Sequence, residues 1–103
     1  MTVTTARVLA ALLAEPGADH YGLQLMRATG LASGSLYPIL HRLQENGWLD
    51  AHWEDIDPAL QGRPARRFYR LTPDGVQQAR HALAELRAQT AVAAIPGRVD
   101  PAW

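Results

Sequence analysis

The sequence contains no cysteine and no lysine. Without cysteine there are no disulfides and no thiolate metal sites. Without lysine, all ten basic residues are arginine; ten acidic residues balance them, and the formal net charge is zero. A generally basic surface is therefore absent, which argues against avid non-specific polyanion binding. No apolar run approaches the roughly 20 residues needed to span a membrane. The start, "MTVTTARVLAALLAEPG", makes a poor signal peptide: its only early basic residue is Arg7, and Glu15 and Pro16 follow the apolar part. A soluble, cytoplasmic protein is the expectation. Also missing are a nucleophile elbow, a phosphate-cradling glycine loop, a metal motif and paired carboxylates in a plausible cleft. No enzymatic activity and no cofactor are expected. His20, His41, His52 and His81 show no ligand spacing to one another. His41 and Glu45 are i,i+4, but two ligands on one helix rarely hold a metal without a third.

What is present is one domain's worth of chain, 103 residues. A domain this small buries about 65% of its unfolded surface, so its stability is modest and a partner subunit would help. Residues 3–14 read as a helix, with Val8, Leu9, Leu12 and Leu13 as its apolar stripe. "EPGADH" breaks it. A second helix is expected from about Tyr21 to Thr29, capped by Asp19 or His20, burying Tyr21, Leu25 and Ala28 and ending at Gly30.

In "SGSLYPILHRLQENGWL" (33–49), Leu36, Ile39, Leu40 and Leu43 recur at helical spacing. Ser33 or Ser35 can cap this third helix, and capping by Ser35 would put Pro38 at N3, where a missing amide hydrogen costs little. "WLDAHWE" alternates, pointing Leu49, Ala51 and Trp53 one way. "RRFYRL" is a second strand, with Arg67, Tyr69 and Leu71 on one face. The eleven residues between, "DIDPALQGRPA", read as a loop. Segment 61–71 carries Arg63, Arg66, Arg67 and Arg70 and no acid, while Glu54, Asp55 and Asp57 form an acidic patch before it. "TPDG" at 72–75 starts the last helix, with Thr72 as cap and Pro73 at N1. Val76, Ala79, Leu83, Leu86 and Thr90 make a short heptad-like seam. The tail 93–103, with two prolines, a glycine and Trp103, reads as irregular.

The order helix, helix, turn, helix, strand, loop, strand, helix is that of an α+β, mostly α, winged helix-turn-helix: a three-helix core, a two-stranded wing and an added C-terminal helix. The expected parts are 1–71 for the winged domain, 72–92 for a dimerisation helix and 93–103 for the tail. In a helix-turn-helix the second helix of the pair enters the DNA major groove. With the leucine face inward, Pro38, His41, Arg42 and Glu45 point out, with Ser35 and Tyr37 beside them at the groove-entering end.

The stretches "HYGLQLM" (20–26), "SGSLYPILHRLQENGWL" (33–49) and "GRPARRFYRLTPDG" (62–75) resemble the PadR family of bacterial transcriptional regulators, and the likeness covers most of residues 3–90. It implies a homodimeric repressor on a pseudo-palindromic operator in double-stranded DNA. Carried over by position, Ser33, Ser35, Tyr37, Pro38, His41 and Arg42 match the recognition helix, and Arg63, Arg66 and Arg67 match the wing. Many relatives have a longer C-terminal region; this chain resembles the short type, which leaves a small-molecule effector open. Because helices 1–3 already fill the core, the last helix is expected to dimerise through Val76, Ala79, Leu83, Leu86 and Thr90, with Leu9 and Leu12 of the first helix. Trp48 and Trp53 are read as core, with a ligand-lining place for Trp53 at the dimer interface as the alternative. The competing function is a winged-helix module that binds protein rather than DNA, which zero net charge favours somewhat.

Overall fold

Seven large side chains have less than 2% exposure: Val8, Leu9, Leu12, Leu25, Leu36, Leu40 and Leu49. They come from four segments, and their mutual burial sets the arrangement of the rest. The computed structural model describes residues 1–93, with side chains to residue 89. The expected tail beyond Ala93, with Trp103, and the side chain of Thr90 lie outside the described residues. The chain runs α1 (Val3–Leu13), β1 (His20–Tyr21), α2 (Gly22–Thr29), α3 (Ser33–Glu45), β2 (Leu49–Trp53), α4 (Pro58–Gln61), β3 (Arg67–Leu71) and α5 (Pro73–Ala93). This is a winged helix, mostly helical with one small antiparallel sheet.

The sheet has three strands, in the order β1-β3-β2, rather than the two expected. The extra strand is the pair His20–Tyr21, opposite Tyr69 and Phe68. Tyr21 is also the N-cap residue of α2, so the expected capping by Asp19 or His20 does not occur. Instead His20 is buried, its Nε2 3.1 Å from the Glu15 carbonyl oxygen. Helix α2 buries Gly22, Leu25 and Thr29, not Ala28, and the Thr29 hydroxyl donates to the Leu25 carbonyl at 2.7 Å. Gly30 closes the helix at φ 75°, a left-handed conformation that costs a glycine nothing.

Helix α3 starts three residues earlier than capping by Ser35 would give: Ala32 is its N-cap, with no side-chain cap. Pro38 is therefore the sixth helical residue, and one intrahelical bond, to the Gly34 carbonyl, is forgone. The alternation in β2 and β3 holds at Leu49, Tyr69 and Leu71, which are buried. It fails at Trp53, 62% exposed at the outer end of β2, where Arg67 lies over its ring at 5.0 Å. Trp53 is not core. Trp48 is half-buried against the core.

The connection between β2 and β3 is partly helical, with Asp57 capping α4 through a 3.0 Å bond from the Ala59 amide. Across this loop Glu54 accepts two bonds from the Arg63 guanidinium, at 2.7 and 3.0 Å, and one from the Arg66 amide at 3.3 Å. The Arg63 side chain holds the Glu54 carboxyl below its ordinary range.

Helix α5 starts as expected: Thr72 accepts from the Gly75 amide at 2.9 Å. Its first half belongs to the protomer core. Ala79 has no exposure, and Val76 and Leu83 pack against the core, so no structural boundary falls at residue 72. Gly75 sits so close to Trp48 that a Cβ there would overlap the Trp48 backbone. Leu9, Leu12 and Ala79 are completely covered within one chain and have no surface to offer a partner. The expectation that they line a dimer interface is corrected on that ground.

Two outcomes follow from this packing. Gly75→Ala forces α5 away from Trp48 and should cost about 1–3 kcal/mol, as overpacking does. Each kcal/mol lowers Tm by roughly 4–8 °C in a domain this size, and calorimetry measures it. The Glu54–Arg63 pair is an exposed, local clasp, and Glu54 has a depressed pKa, so its contribution is present above the ordinary glutamate pKa and lost as pH falls through the folded value. The protection factor of the Arg66 amide, its exchange rate relative to the intrinsic rate at the same pH, should therefore fall in Glu54→Gln and at acid pH in the wild type, with protection in α1 unchanged.

Candidate nucleic-acid interface

Helix α3 presents three different flanks. Leu36, Ile39, Leu40 and Leu43 face the core. At 100° per residue, Gly34, Pro38, His41 and Glu45 lie on the opposite side, and all four are exposed. Ser33 and Ser35 are exposed in the first turn. His41 and Glu45 pair across one turn at 3.6 Å. Tyr37 and Arg42 leave the helix on its two opposite edges. Arg42 turns toward α1 and α5, where it lines a cavity with Ile39, Leu43 and Trp48. It does not stand in the outward row with His41, as the helical pattern suggests.

Tyr37 turns toward α2. Its hydroxyl rests on Gly22, where any Cβ would collide with it. It also approaches Tyr69, whose phenol is pushed above its ordinary value by burial first and by Tyr37 second, with Arg67 opposing. Tyr37 is thus a half-exposed wall between helix and sheet rather than a free projection.

That wall borders a cleft of about 470 Å³ between α2, α3 and β3. Tyr21, Leu23, Arg27, Tyr37, Arg66 and Arg67 line it, and no acid does. The Arg66 guanidinium lies 5.1 Å over the Tyr21 ring. Tyr21 in turn meets Phe68 edge-on at 5.9 Å, and Phe68 stacks on His52 at 5.8 Å. The outer face of the sheet is therefore an aromatic row that ends in an arginine.

Sequence reasoning misses Arg27 and Tyr21. Arg27 is a single arginine on the polar face of a short helix and gives no pattern. Tyr21 reads as part of a buried helical face because a two-residue strand has no periodicity. The one usable signal is a glycine opposite a tyrosine, Gly22 and Tyr37, which marks a close approach.

Of the wing arginines, Arg66 and Arg67 reach the cleft and Arg63 does not. Arg63 is committed to Glu54, so an absence of nearby acids, inferred from the 61–71 window, does not hold in space. Arg70 pairs with Asp19 at 3.0 Å, and His52 approaches the other Asp19 oxygen at 3.4 Å. No cluster of three or more His, Cys, Asp or Glu residues that could hold a metal occurs among the described residues, and none of their helices is long and apolar enough to cross a membrane.

The model of the transcriptional regulator PadR-like family matches residues 8–81. Among solved structures, a PadR-like transcription factor from Bacteroides fragilis superposes with a TM-score of 0.69 at 21% identity, over 86% of this chain and 84% of that one. BpsR of Bordetella bronchiseptica, solved to explain regulation of its DNA binding by 6-hydroxynicotinic acid, gives 0.67 at 20% identity, over 99% of this chain and 66% of its own. At these identities the likeness concerns the fold alone. The PcaV regulator of Streptomyces coelicolor, in complex with its natural ligand, gives 0.67 at 28% identity, over 89% of this chain and 60% of PcaV. No curated protein matches the sequence significantly. With the family model spanning the three helices, the wing and the start of α5, this chain belongs to the PadR-like family of DNA-binding transcriptional regulators.

Proposed function

We propose that the protein is a homodimeric repressor of the bacterial cytoplasm that binds a pseudo-palindromic operator. The observation that carries this reading is the acid-free cleft of Arg27, Arg66 and Arg67 in a chain of zero net charge. Three guanidiniums converging beside two tyrosines suit a DNA phosphate, since arginine presents a planar fork of donors. The first turn of α2 borders the same cleft through Gly22 and Leu23, and a helix N-terminus favours an anion. With a phosphate there, the first turns of α3 lie in the major groove. Ser33, Ser35, Pro38 and His41 then meet base edges or the adjoining backbone, and Tyr37 spans both. Arg63 acts indirectly, by holding the loop that presents Arg66.

Dimerisation is assigned to the outer half of α5. Beyond Leu83 the helix has no buried side chain among the described residues, yet Leu86 is half-covered beside Ala82, Gln89 and Met1 around a small cavity of about 150 Å³. To read a palindrome, a second copy packed along Ala82 and Leu86 would have to hold the two α3 helices about 34 Å apart, one DNA turn. PcaV with its natural ligand and BpsR with 6-hydroxynicotinic acid support regulation by a small molecule.

A gel shift against the protein's own upstream region is the first test. In the same assay, Arg27→Ala and Arg66→Ala should each weaken specific and random DNA alike, because phosphates carry no sequence information. Each should also reduce the slope of log K against log[salt] by roughly 0.9 for every phosphate that is no longer neutralised. Arg63→Ala should have a smaller effect on the slope. An unchanged slope and affinity in Arg27→Ala/Arg66→Ala would remove DNA from the cleft and favour a protein partner. Light scattering should give about twice 11.3 kDa. Leu86→Asp should shift this toward the monomer with the fold retained, whereas Leu83→Asp should also unfold it, because Leu83 reaches the core. A wild-type monomer at micromolar concentration would end the dimer reading.

A further inference from the structure

Behind the arginine-lined cleft lies a buried histidine. His20, 3% exposed, begins β1. Its Nε2 stands 3.1 Å from the Glu15 carbonyl oxygen. A carbonyl oxygen only accepts, so Nε2 carries the proton, and in the neutral ring Nδ1 is left as an acceptor. The group that faces Nδ1 is the Gln24 side-chain nitrogen, at 3.5 Å. That contact orients Gln24. With its nitrogen turned to His20, its Oε1 is turned to the Tyr21 amide, from which it accepts at 3.4 Å. Tyr21 is the N-cap of α2 and Gln24 its third helical residue, the position from which a side chain reaches back to an amide that has no intrahelical partner. One backbone carbonyl thus sets the imidazole tautomer, the imidazole sets the Gln24 amide, and Gln24 holds the start of α2. Asp19, next to His20 in the chain, is turned instead to Arg70 and His52.

The Tyr21 ring lies in the cleft, under the Arg66 guanidinium at 5.1 Å, and meets Phe68 edge-on. We infer that Gln24 is a positioning residue for the phosphate contact: it holds the Tyr21 backbone so that the Tyr21 ring seats Arg66 in the cleft, and His20 fixes the orientation in which it does so. Gln24 is half-buried and does not line the cleft, so it acts through Tyr21. A leucine at position 24 keeps the size of the side chain and neither donates nor accepts. A glutamate there still accepts from the Tyr21 amide but has no donor for Nδ1. Its carboxylate favours a second proton on the ring, because an opposite charge nearby stabilises the charged form. Nε2 continues to donate to Glu15, and the relay survives with one bond reversed. The role in DNA binding rests on the proposed function; the relay itself does not.

The first measurement needs no DNA. Nitrogen NMR of the full chain at neutral pH should find the His20 ring protonated at Nε2 alone in the wild type and at both nitrogens in Gln24→Glu. A proton on Nδ1 of the wild type would overturn the inference, whether or not any variant folds. The second is affinity for a random-sequence DNA duplex, read by fluorescence anisotropy, with Arg66 present and in Arg66→Ala. Gln24→Leu should weaken binding by about three- to tenfold, the loss typical of one hydrogen bond, while Gln24→Glu should stay within about twofold of the wild type. In the Arg66→Ala background Gln24→Leu should add almost nothing, because both changes remove the same contact. Equal losses in the two backgrounds would reduce Gln24 to a merely structural role and overturn the inference, as would a Gln24→Glu protein as weak as Gln24→Leu. Weakening by Arg66→Ala without any by Gln24→Leu would overturn this inference alone. Equal binding by the wild type and Arg66→Ala would remove the Arg66 phosphate contact and this inference with it.

Discussion

Two residues of β-pairing hold the proposed DNA-facing surface together. His20 and Tyr21 pair with Tyr69 and Phe68 on β3. Tyr21 is at once the end of a strand and the N-cap of α2. The sheet and the helix-turn-helix therefore share a residue, and the first turn of α2 cannot move independently of the wing base. The cleft exists because of this. Arg27 comes from α2 and Tyr37 from α3, while Arg66 and Arg67 come from the outer start of β3, about thirty residues further along the chain. The aromatic row His52, Phe68 and Tyr21 adds side-chain support across all three strands, of the kind that cross-strand pairs supply. A strand this short would not persist alone; it holds because His20 is buried and bonded on its inner side.

Zero net charge and an anionic partner are compatible because the arginines divide by what they face. Arg63 and Arg70 are neutralised by Glu54 and Asp19. The first pair spans the wing loop, and the second ties the central strand β3 to the segment before β1. Arg66 and Arg67 face aromatic rings instead, those of Tyr21 and Trp53. A ring orients a guanidinium without cancelling its charge, and its contribution is modest at an exposed site, about 0.5–1 kcal/mol. The charge remains available to a phosphate. Counting arginines along "GRPARRFYR" treats these four as equals, whereas partner choice separates structural from ligand-facing roles.

This separation also explains what can be read from the sequence. The Leu36, Ile39, Leu40 and Leu43 stripe, the alternation in β2 and β3 and the Thr72–Pro73 helix start are all legible, because each is a local pattern with a known period or cap. The recognition helix and the basic wing follow from them. Strand β1 is not legible, since two residues carry no period. Helix α4 is hidden by a stretch rich in turn formers, where Asp57 and Pro58 read equally as loop or as helix start. The Glu54–Arg63 clasp joins residues nine apart across a loop, and no sequence pattern fixes such a partner. The role of α5 escapes a sequence reading for a related reason. A 3-4 spacing marks an apolar stripe but not what it covers, and Gly75 brings the helix close enough to Trp48 for the protomer itself to bury Val76 and Ala79.

The position of Pro38 becomes intelligible on this geometry. As the sixth residue of α3 it forgoes a bond to the Gly34 carbonyl, so it is not the cost-free first-turn proline that capping by Ser35 would have made it. Gly34, the residue whose carbonyl is freed, has nothing within 4 Å of where a Cβ would stand. Glycine and proline thus occupy successive turns of the exposed flank, and neither projects a long side chain. A recognition helix with a low outer surface can bring its backbone close to base edges. The long side chains, Tyr37 and Arg42, leave from the helix edges, where one closes the phosphate cleft and the other lines the apolar cavity. Helix α3 thereby turns its leucines to the core, Tyr37 to the arginine-lined cleft and Arg42 to the apolar cavity, and keeps Gly34 and Pro38 on its exposed flank.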